Sequence, residues 1–168
     1  MFFSSDIKTN CKDFIGHLDN FGKQLHSSMI YITRRETFNA AHRLFRPEWD
    51  DIKNFEVFGK CANPLWHGHN YVLFVTVKGQ VNPQTGFLVN LKQLSSIISK
   101  RVLEKLDHKN LNLEVDFMAG RIPSTENLAI AIWEQLEEPV QQLGAMMHCV
   151  KLHETENNSV EYFGPVTM

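Results

Sequence analysis

Hydrophobic and polar residues alternate along the central part of the chain, which is the pattern of strands with one buried face. From Ile30 to Ala40, β-branched and aromatic residues are interleaved with polar ones, which predicts a strand ending just before His42. Tyr71 to Val77 is almost continuously apolar and predicts the strongest strand of the chain. The turn residues Asn82–Gly86 then predict a hairpin whose second arm is Phe87 to Asn90.

Two later segments repeat their apolar residues at the period of an amphipathic helix. The first runs from Leu91 to Leu106. The second begins after Ser124, a good helix cap, and Pro139 is expected to end or break it. The last hydrophobic runs, Met146–Thr155 and Ser159–Phe163, flank two asparagines and predict a second hairpin. The order β-β-β-α-α-β-β indicates an α+β fold, with an antiparallel sheet carrying helices on one face.

The chain has 168 residues, of which 43% are hydrophobic, and this is enough for one core. We predict a single domain over residues 30–168, after an extension over residues 1–29 that is either disordered or a docking helix at Asp13–Leu25. Residues 43–60 are interpreted as an irregular excursion.

No segment has the length and apolarity of a bilayer span, and three widely spaced cysteines indicate no disulfide framework, so we expect a cytoplasmic protein with no membrane partner. The net charge of -2 argues against a nucleic-acid partner.

Three histidines, His42, His67 and His69, give the strongest chemical signal in the sequence. Side chains two positions apart in a strand share a face, so His67 and His69 project together on either side of Gly68. His42 ends an earlier strand and can join them if the two strands pair. Any one of these residues alone would be interpreted as an ordinary histidine. Three imidazole ligands leave the metal ion an open position, as in catalytic zinc sites. Zinc is favoured over iron, because no carboxylate accompanies the histidines at the spacing of an iron-binding facial triad.

Cys61 lies six positions before His67, in a loop rich in Gly, Pro and Asn. A thiolate beside a divalent cation can act as a general base or nucleophile, whereas the alternative is a small buried residue. Cys149 lies in an alternating strand and is interpreted as a packing residue. Asp107 and His108 follow a helix end, where a carboxylate can fix the tautomer of an imidazole, and a plain helix cap fits equally well.

Two glutamates, Glu126 and Glu154, have simple structural explanations. Glu126 lies in the first turn of a helix, where a negative charge suits the helix dipole, and Glu154 can be a solvated strand residue. Both acquire a role if the ligand presents a guanidine-like edge, because a carboxylate accepts two parallel hydrogen bonds from such a group.

Taken together, five motifs in order resemble the 6-pyruvoyl-tetrahydropterin synthase family. They are Phe38–Leu44, Cys61 with His67–Tyr71, Leu106–Asn112, Ser124–Asn127, and Glu154–Thr155 before Asn157–Asn158. The resemblance covers the chain from about Ile30 to its C-terminus. It implies a T-fold: a four-stranded antiparallel sheet with two helices on one face, subunits joined into a trimeric barrel, and two trimers stacked as a homo-hexamer.

The resemblance also implies a role for each of nine residues. The implied zinc ligands are His42, His67 and His69. The implied base is Cys61, assisted from a neighbouring subunit by Asp107 and His108. The implied pterin-binding residues are Glu154, as the anchor, with Thr125 and Glu126 close to the ring.

The implied substrate is 7,8-dihydroneopterin triphosphate, which loses triphosphate to give 6-pyruvoyl-tetrahydropterin without an external redox cofactor. A bacterial branch of the family forms 6-carboxy-tetrahydropterin in queuosine biosynthesis, and its cysteine typically stands three residues before His-Gly-His. Five residues separate Cys61 from His67 here, which favours the pyruvoyl product. A zinc-containing pterin-binding module without catalysis is a further alternative, although Cys61, Asp107 and His108 are all present.

Overall fold

The computed structural model describes residues 28–166 as a five-stranded sheet with helices packed against one face. The strands are β1 Ile30–His42, β2 His67–Gly79, β3 Lys109–Asn110, β4 Met146–His153 and β5 Ser159–Tyr162. The helices are α1 Asp51–Phe58, α2 Leu91–Ile98, α3 Glu104–Leu106 and α4 Thr125–Gln142. A π-helical turn, Ser99–Leu103, joins α2 to α3 as one continuous helix, and short 3-10 helices lie at Gly59–Ala62 and Asp116–Met118.

The sheet order is β3-β1-β2-β4-β5, and every neighbouring pair is antiparallel except β3 with β1. Strand β2 pairs along its full length with β1 and over Val72–Lys78 with β4, so it lies at the centre of the sheet. Its residues Tyr71, Leu73, Val75 and Val77 are buried, whereas the residues between them are partly exposed. This two-residue period leaves one face of the sheet for the helices to cover.

The helices supply the other half of the core through residues at helical spacing. Their fully buried side chains include Leu94, Ile98, Val102, Leu106, Leu128, Ile132, Leu136 and Val140. The side chain of Asn90 accepts from the backbone N–H groups of Lys92 and Gln93, and that of Ser124 accepts from Asn127, so each helix starts at a residue that satisfies its free donors.

Several elements follow the prediction. The α+β class, the helical segment from Leu91 to Leu106 and the C-terminal hairpin of β4 and β5 are confirmed. The sheet has five strands rather than the four implied by the resemblance, because the two residues of β3 add an edge next to β1. Strand β1 also includes His42 instead of ending before it.

Three predictions were wrong. Phe87–Asn90 does not pair with β2, since both edges of β2 are taken by β1 and β4, and Asn90 instead caps α2. Residues 43–60 are not irregular throughout, because Asp50 caps helix α1 by accepting from the N–H of Lys53. Pro139 lies inside α4 without ending it, since Leu136 and Val140 on either side are buried in the core.

The division into an extension at 1–29 and a domain at 30–168 stays a prediction, and the possible helix at Asp13–Leu25 lies outside the described residues. Within residues 28–166, no helix combines the length and the apolarity needed to span a membrane.

Candidate active site

The three histidines converge where β1 ends and β2 begins. The antiparallel register pairs His42 with His67 and Ala40 with His69, so all three imidazoles lie on the helix-covered face. Gly68 pairs with Ala41 between them, and a Cβ at this position would lie 2.9 Å from the carbonyl oxygen of Ala40. The close approach of the two strands at this point therefore depends on glycine.

Hydrogen bonding fixes the tautomer of His42. Its Nδ1 donates to the carbonyl oxygen of Pro123 at 2.8 Å, which leaves Nε2 as the atom with a free lone pair. This Nε2 lies 3.0 Å from Nε2 of His67. Burial lowers the pKa of His42, and burial together with the neighbouring His69 ring lowers the pKa of His67, so both rings favour the neutral form that binds metals.

The three imidazoles fit a divalent metal ion. One nitrogen from each ring lies within 4.8 Å of the other two. Nε2 of His69 is buried, has no hydrogen-bond partner within residues 28–166, and lies, like Nε2 of His42, 3.7 Å from Oε1 of Glu154. Buried polar atoms in native proteins are normally satisfied, so this nitrogen indicates a ligand at the centre. Zinc commonly binds such all-nitrogen sites, and with three protein ligands it retains an open position.

Glu154 lies directly beside the histidines, in the loop after β4. Its Oε1 is 3.7 Å from Nε2 of His42 and 3.7 Å from Nε2 of His69. The same oxygen accepts a hydrogen bond of 2.8 Å from the hydroxyl of Thr125, the first residue of α4. The structure thus brings Glu154 and Thr125, two of the predicted pterin-binding residues, to the three histidines.

Cys61 is half-buried in the 3-10 helix Gly59–Ala62. The chain just after β1 holds this helix: Leu44 N–H donates to the Cys61 carbonyl at 2.8 Å, and Arg43 Nε donates to the Ala62 carbonyl at 2.7 Å. Cys61 lines a cavity of about 490 Å³ together with Thr125, Glu126 and Glu154. The thiol and all three predicted pterin-binding residues therefore face one space.

Asp107 and His108 form a pair on the surface. Asp107 Oδ1 accepts from the backbone N–H of Asn39 at 2.8 Å, and its Oδ2 lies 3.0 Å from Nδ1 of His108. The Asn39 hydrogen bond, with a smaller effect of His108, lowers the pKa of Asp107. The His108 side chain is 78% exposed and lines a second cavity beside His69. The lining of the Cys61 cavity includes neither residue of the pair.

The sequence analysis missed three residues that shape the site. Pro123 orients His42 through its carbonyl, and the buried Tyr71 lies against the histidines. The side chain of Asn112 accepts from the N–H of Arg43 and donates to its carbonyl, at 3.0 and 2.9 Å. Tyr71 and Asn112 both lie inside motifs that carry the family resemblance, whereas backbone contacts such as that of Pro123 leave no mark in a sequence.

Cys149, by contrast, is buried in β4 as predicted. Burial raises the pKa of its thiol, which keeps it protonated and inert.

The fold and the site together define an α+β protein with a three-histidine centre able to hold a metal ion. Residues 31–165 match the family model described as 6-pyruvoyl tetrahydropterin synthase, and the chain belongs to that family.

Three known proteins illustrate the range of similarity. The 6-pyruvoyl tetrahydrobiopterin synthase of Drosophila melanogaster is 43% identical over 141 residues, which cover 82% of this chain and 81% of the relative. The solved structure of Caenorhabditis elegans 6-pyruvoyl tetrahydropterin synthase is 36% identical, with a TM-score of 0.76 and coverage of 82% and 97%. The 6-carboxy-5,6,7,8-tetrahydropterin synthase of Bacillus subtilis is 32% identical over 100 residues, covering 58% of this chain and 64% of the relative.

Proposed function

We propose that this protein is a zinc-dependent lyase that converts 7,8-dihydroneopterin triphosphate to 6-pyruvoyl-tetrahydropterin and triphosphate. The observation that carries the proposal is the convergence of three imidazoles, with Glu154 at 3.7 Å from two of them and with the Cys61 cavity alongside. The name of the Drosophila relative supports the pyruvoyl product.

In the proposed reaction the three histidines bind the metal ion and Cys61 removes a proton. His42, His67 and His69 would hold the zinc ion through neutral nitrogens. Bound zinc supplies a Lewis acid that makes the C–H and O–H bonds of the substrate side chain more acidic. Cys61, as a thiolate, removes a proton from a side-chain carbon, and the dihydropterin ring takes up a proton elsewhere. The internal redistribution of hydrogen accompanies loss of triphosphate, so no external oxidant is required.

Glu154 is the proposed anchor for the pterin ring. A carboxylate can accept two parallel hydrogen bonds from the guanidine-like edge of a pterin. The Thr125 hydroxyl restrains this carboxylate through its 2.8 Å hydrogen bond, and the exposed Glu126 lines the same cavity. A volume of about 490 Å³ is in the usual range for a small-molecule site.

Asp107 and His108 are proposed to assist Cys61 across a subunit boundary. Both side chains are exposed, at 43% and 78%, and an ordered Asp–His pair at a surface suits a role in a neighbouring subunit's site. We accordingly propose a homo-hexamer built from two trimeric barrels. The cytoplasm is the proposed location, where the partner is a small pterin triphosphate and not a nucleic acid or a membrane.

The direct test is to incubate the zinc-loaded protein with 7,8-dihydroneopterin triphosphate, measure triphosphate release and identify the product by mass spectrometry. Release with a 6-pyruvoyl product is the expected result. A 6-carboxy product would instead support the activity named for the Bacillus subtilis relative. Binding without turnover would indicate a pterin-binding module.

Two cysteine variants separate the thiol's chemistry from its packing. Cys61→Ala should abolish turnover while zinc stays bound, because the thiol is not one of the proposed metal ligands, which are the three histidines. Cys149→Ala is the matched control, since it removes a thiol buried in β4 and should leave turnover intact. Full activity in Cys61→Ala would remove that residue from the mechanism.

A further inference from the structure

Tyr71 has a hydroxyl for which the described part of the chain provides no hydrogen bond. The residue is only 1% exposed, and within residues 28–166 no atom pairs with its Oη. A buried hydroxyl without a partner destabilises a fold, and a phenylalanine would fill the same space without that cost.

The ring of Tyr71 packs against Phe38 and against two of the three histidines. Its ring stacks on Phe38, with centroids 4.9 Å apart and an angle of 14° between the planes. The edges of two histidine rings approach it, with centroids at 6.4 Å for His42 and 5.7 Å for His69. A phenol is protonated at neutral pH, so the Tyr71 hydroxyl can act as a hydrogen-bond donor.

Residues 28–166 supply no acceptor for this donor. Glu154 is a charged neighbour of Tyr71, but it makes no hydrogen bond with the Tyr71 hydroxyl, and its Oε1 accepts from Thr125. The guanidine-like edge of a pterin consists largely of donors and suits a carboxylate, whereas the hydroxyl oxygens on the substrate's side chain have free lone pairs.

We propose that the Tyr71 hydroxyl donates a hydrogen bond to a side-chain hydroxyl oxygen of the bound pterin. Tyr71 is then a substrate contact that distinguishes pterins with a polyol side chain from those without one. The inference rests on the proposed function and adds to it the group that recognises the side chain.

The test compares Tyr71→Phe with wild type in binding two fluorescent probes, neopterin, which carries a trihydroxypropyl side chain, and unsubstituted pterin, which carries none. Loss of one hydrogen bond should weaken neopterin binding about three- to tenfold and leave pterin binding unchanged. The matched control is Tyr162→Phe, because Tyr162 lies on β5 against Trp133 and should not alter either affinity. Equal affinity of Tyr71→Phe and wild type for neopterin would overturn the proposal. Equal weakening for both probes would also do so, since it would mean that Tyr71 supports Glu154 or the ring site.

A second measurement tests the missing partner without any pterin. Urea unfolding of metal-free Tyr71→Phe should show stability equal to or above that of wild type, because the variant removes an unpaired buried hydroxyl. Lower stability would show that the hydroxyl has a partner within the protein, and would refute the inference.

With 7,8-dihydroneopterin triphosphate as substrate, kcat/KM of Tyr71→Phe should fall about three- to tenfold at unchanged zinc content. A wild-type protein without turnover would refute the proposed function, whereas an active wild type matched by Tyr71→Phe would refute only the role of Tyr71.

Discussion

Gly68→Ala should damage the metal centre more than the fold. The added Cβ would lie 2.9 Å from the carbonyl oxygen of Ala40 and 3.4 Å from Cα of Ala41, and both atoms belong to the backbone of β1. Since a backbone cannot rotate away as a side chain can, β1 and β2 must separate by some tenths of an ångström. The separation falls between His67 and His69, opposite the end of β1 that carries His42.

Two effects of different size follow from this displacement. Overpacking of this kind costs about 1–3 kcal/mol of unfolding free energy, which a chain with an intact core can tolerate. Metal affinity is more sensitive, because shifting the orientation of ligands typically costs about 10- to 100-fold. Gly68→Ala should therefore remain folded and lose zinc affinity by about that factor.

The assay is zinc titration against a competing chelator, alongside urea unfolding of the metal-free protein. Gly86→Ala is the control, because its Cβ would meet nothing within 4 Å and only its φ of 74° is unfavourable. That strain costs about 1–2 kcal/mol without touching the histidines. Wild-type zinc affinity in Gly68→Ala would refute the reasoning that this glycine sets the spacing of the ligands.

Three further predictions concern packing, a loop clamp and pH. Leu136→Ala should lower the unfolding free energy by about 2–5 kcal/mol in urea titrations, because this side chain is fully buried in the core; a loss below about 1 kcal/mol would contradict that placement. Asn112→Ala should cost about 1–3 kcal/mol, because both backbone groups of Arg43 lose their partner, and unchanged urea midpoints would argue against the clamp. In the metal-free protein, His42 and His67 have pKa values below 6.5 when folded, so the unfolded chain binds protons first as the pH falls. Stability should therefore be steady at higher pH and decline as the pH drops below 6.5, and a urea midpoint that rises on acidification would refute this sign.

The histidine centre could be predicted from the sequence because its geometry follows from strand periodicity. His67 and His69 share a face at a spacing of two, and one pairing of β1 with β2 is enough to bring His42 opposite them. The two long helices were predictable for a similar reason, since buried residues such as Leu94 on the first and Ile132 on the second belong to apolar sets that recur at helical spacing.

The pairing of β2 with β4 could not be predicted in the same way. Turn residues at Asn82–Gly86 suggested a local hairpin, but β2 forms its second edge with β4, which lies far along the chain. Pairing between distant segments depends on which apolar faces meet in the core, and local turn chemistry carries no information about it. The pattern after Leu106 predicts no strand, whereas Lys109–Asn110 adds a parallel edge strand beside β1.

The hydrogen bonds that fasten the 3-10 helix to the end of β1 bear on how the family can diverge. Leu44 and Arg43 donate hydrogen bonds to the carbonyls of Cys61 and Ala62. The position of the thiol is therefore set by the end of β1 and not by the length of the segment between Ala62 and His67. Residues could be inserted or deleted between Ala62 and His67 during evolution while the sulfur of Cys61 stays where it is. The number of residues between the cysteine and His-Gly-His is then a record of ancestry more than a determinant of which product the enzyme releases.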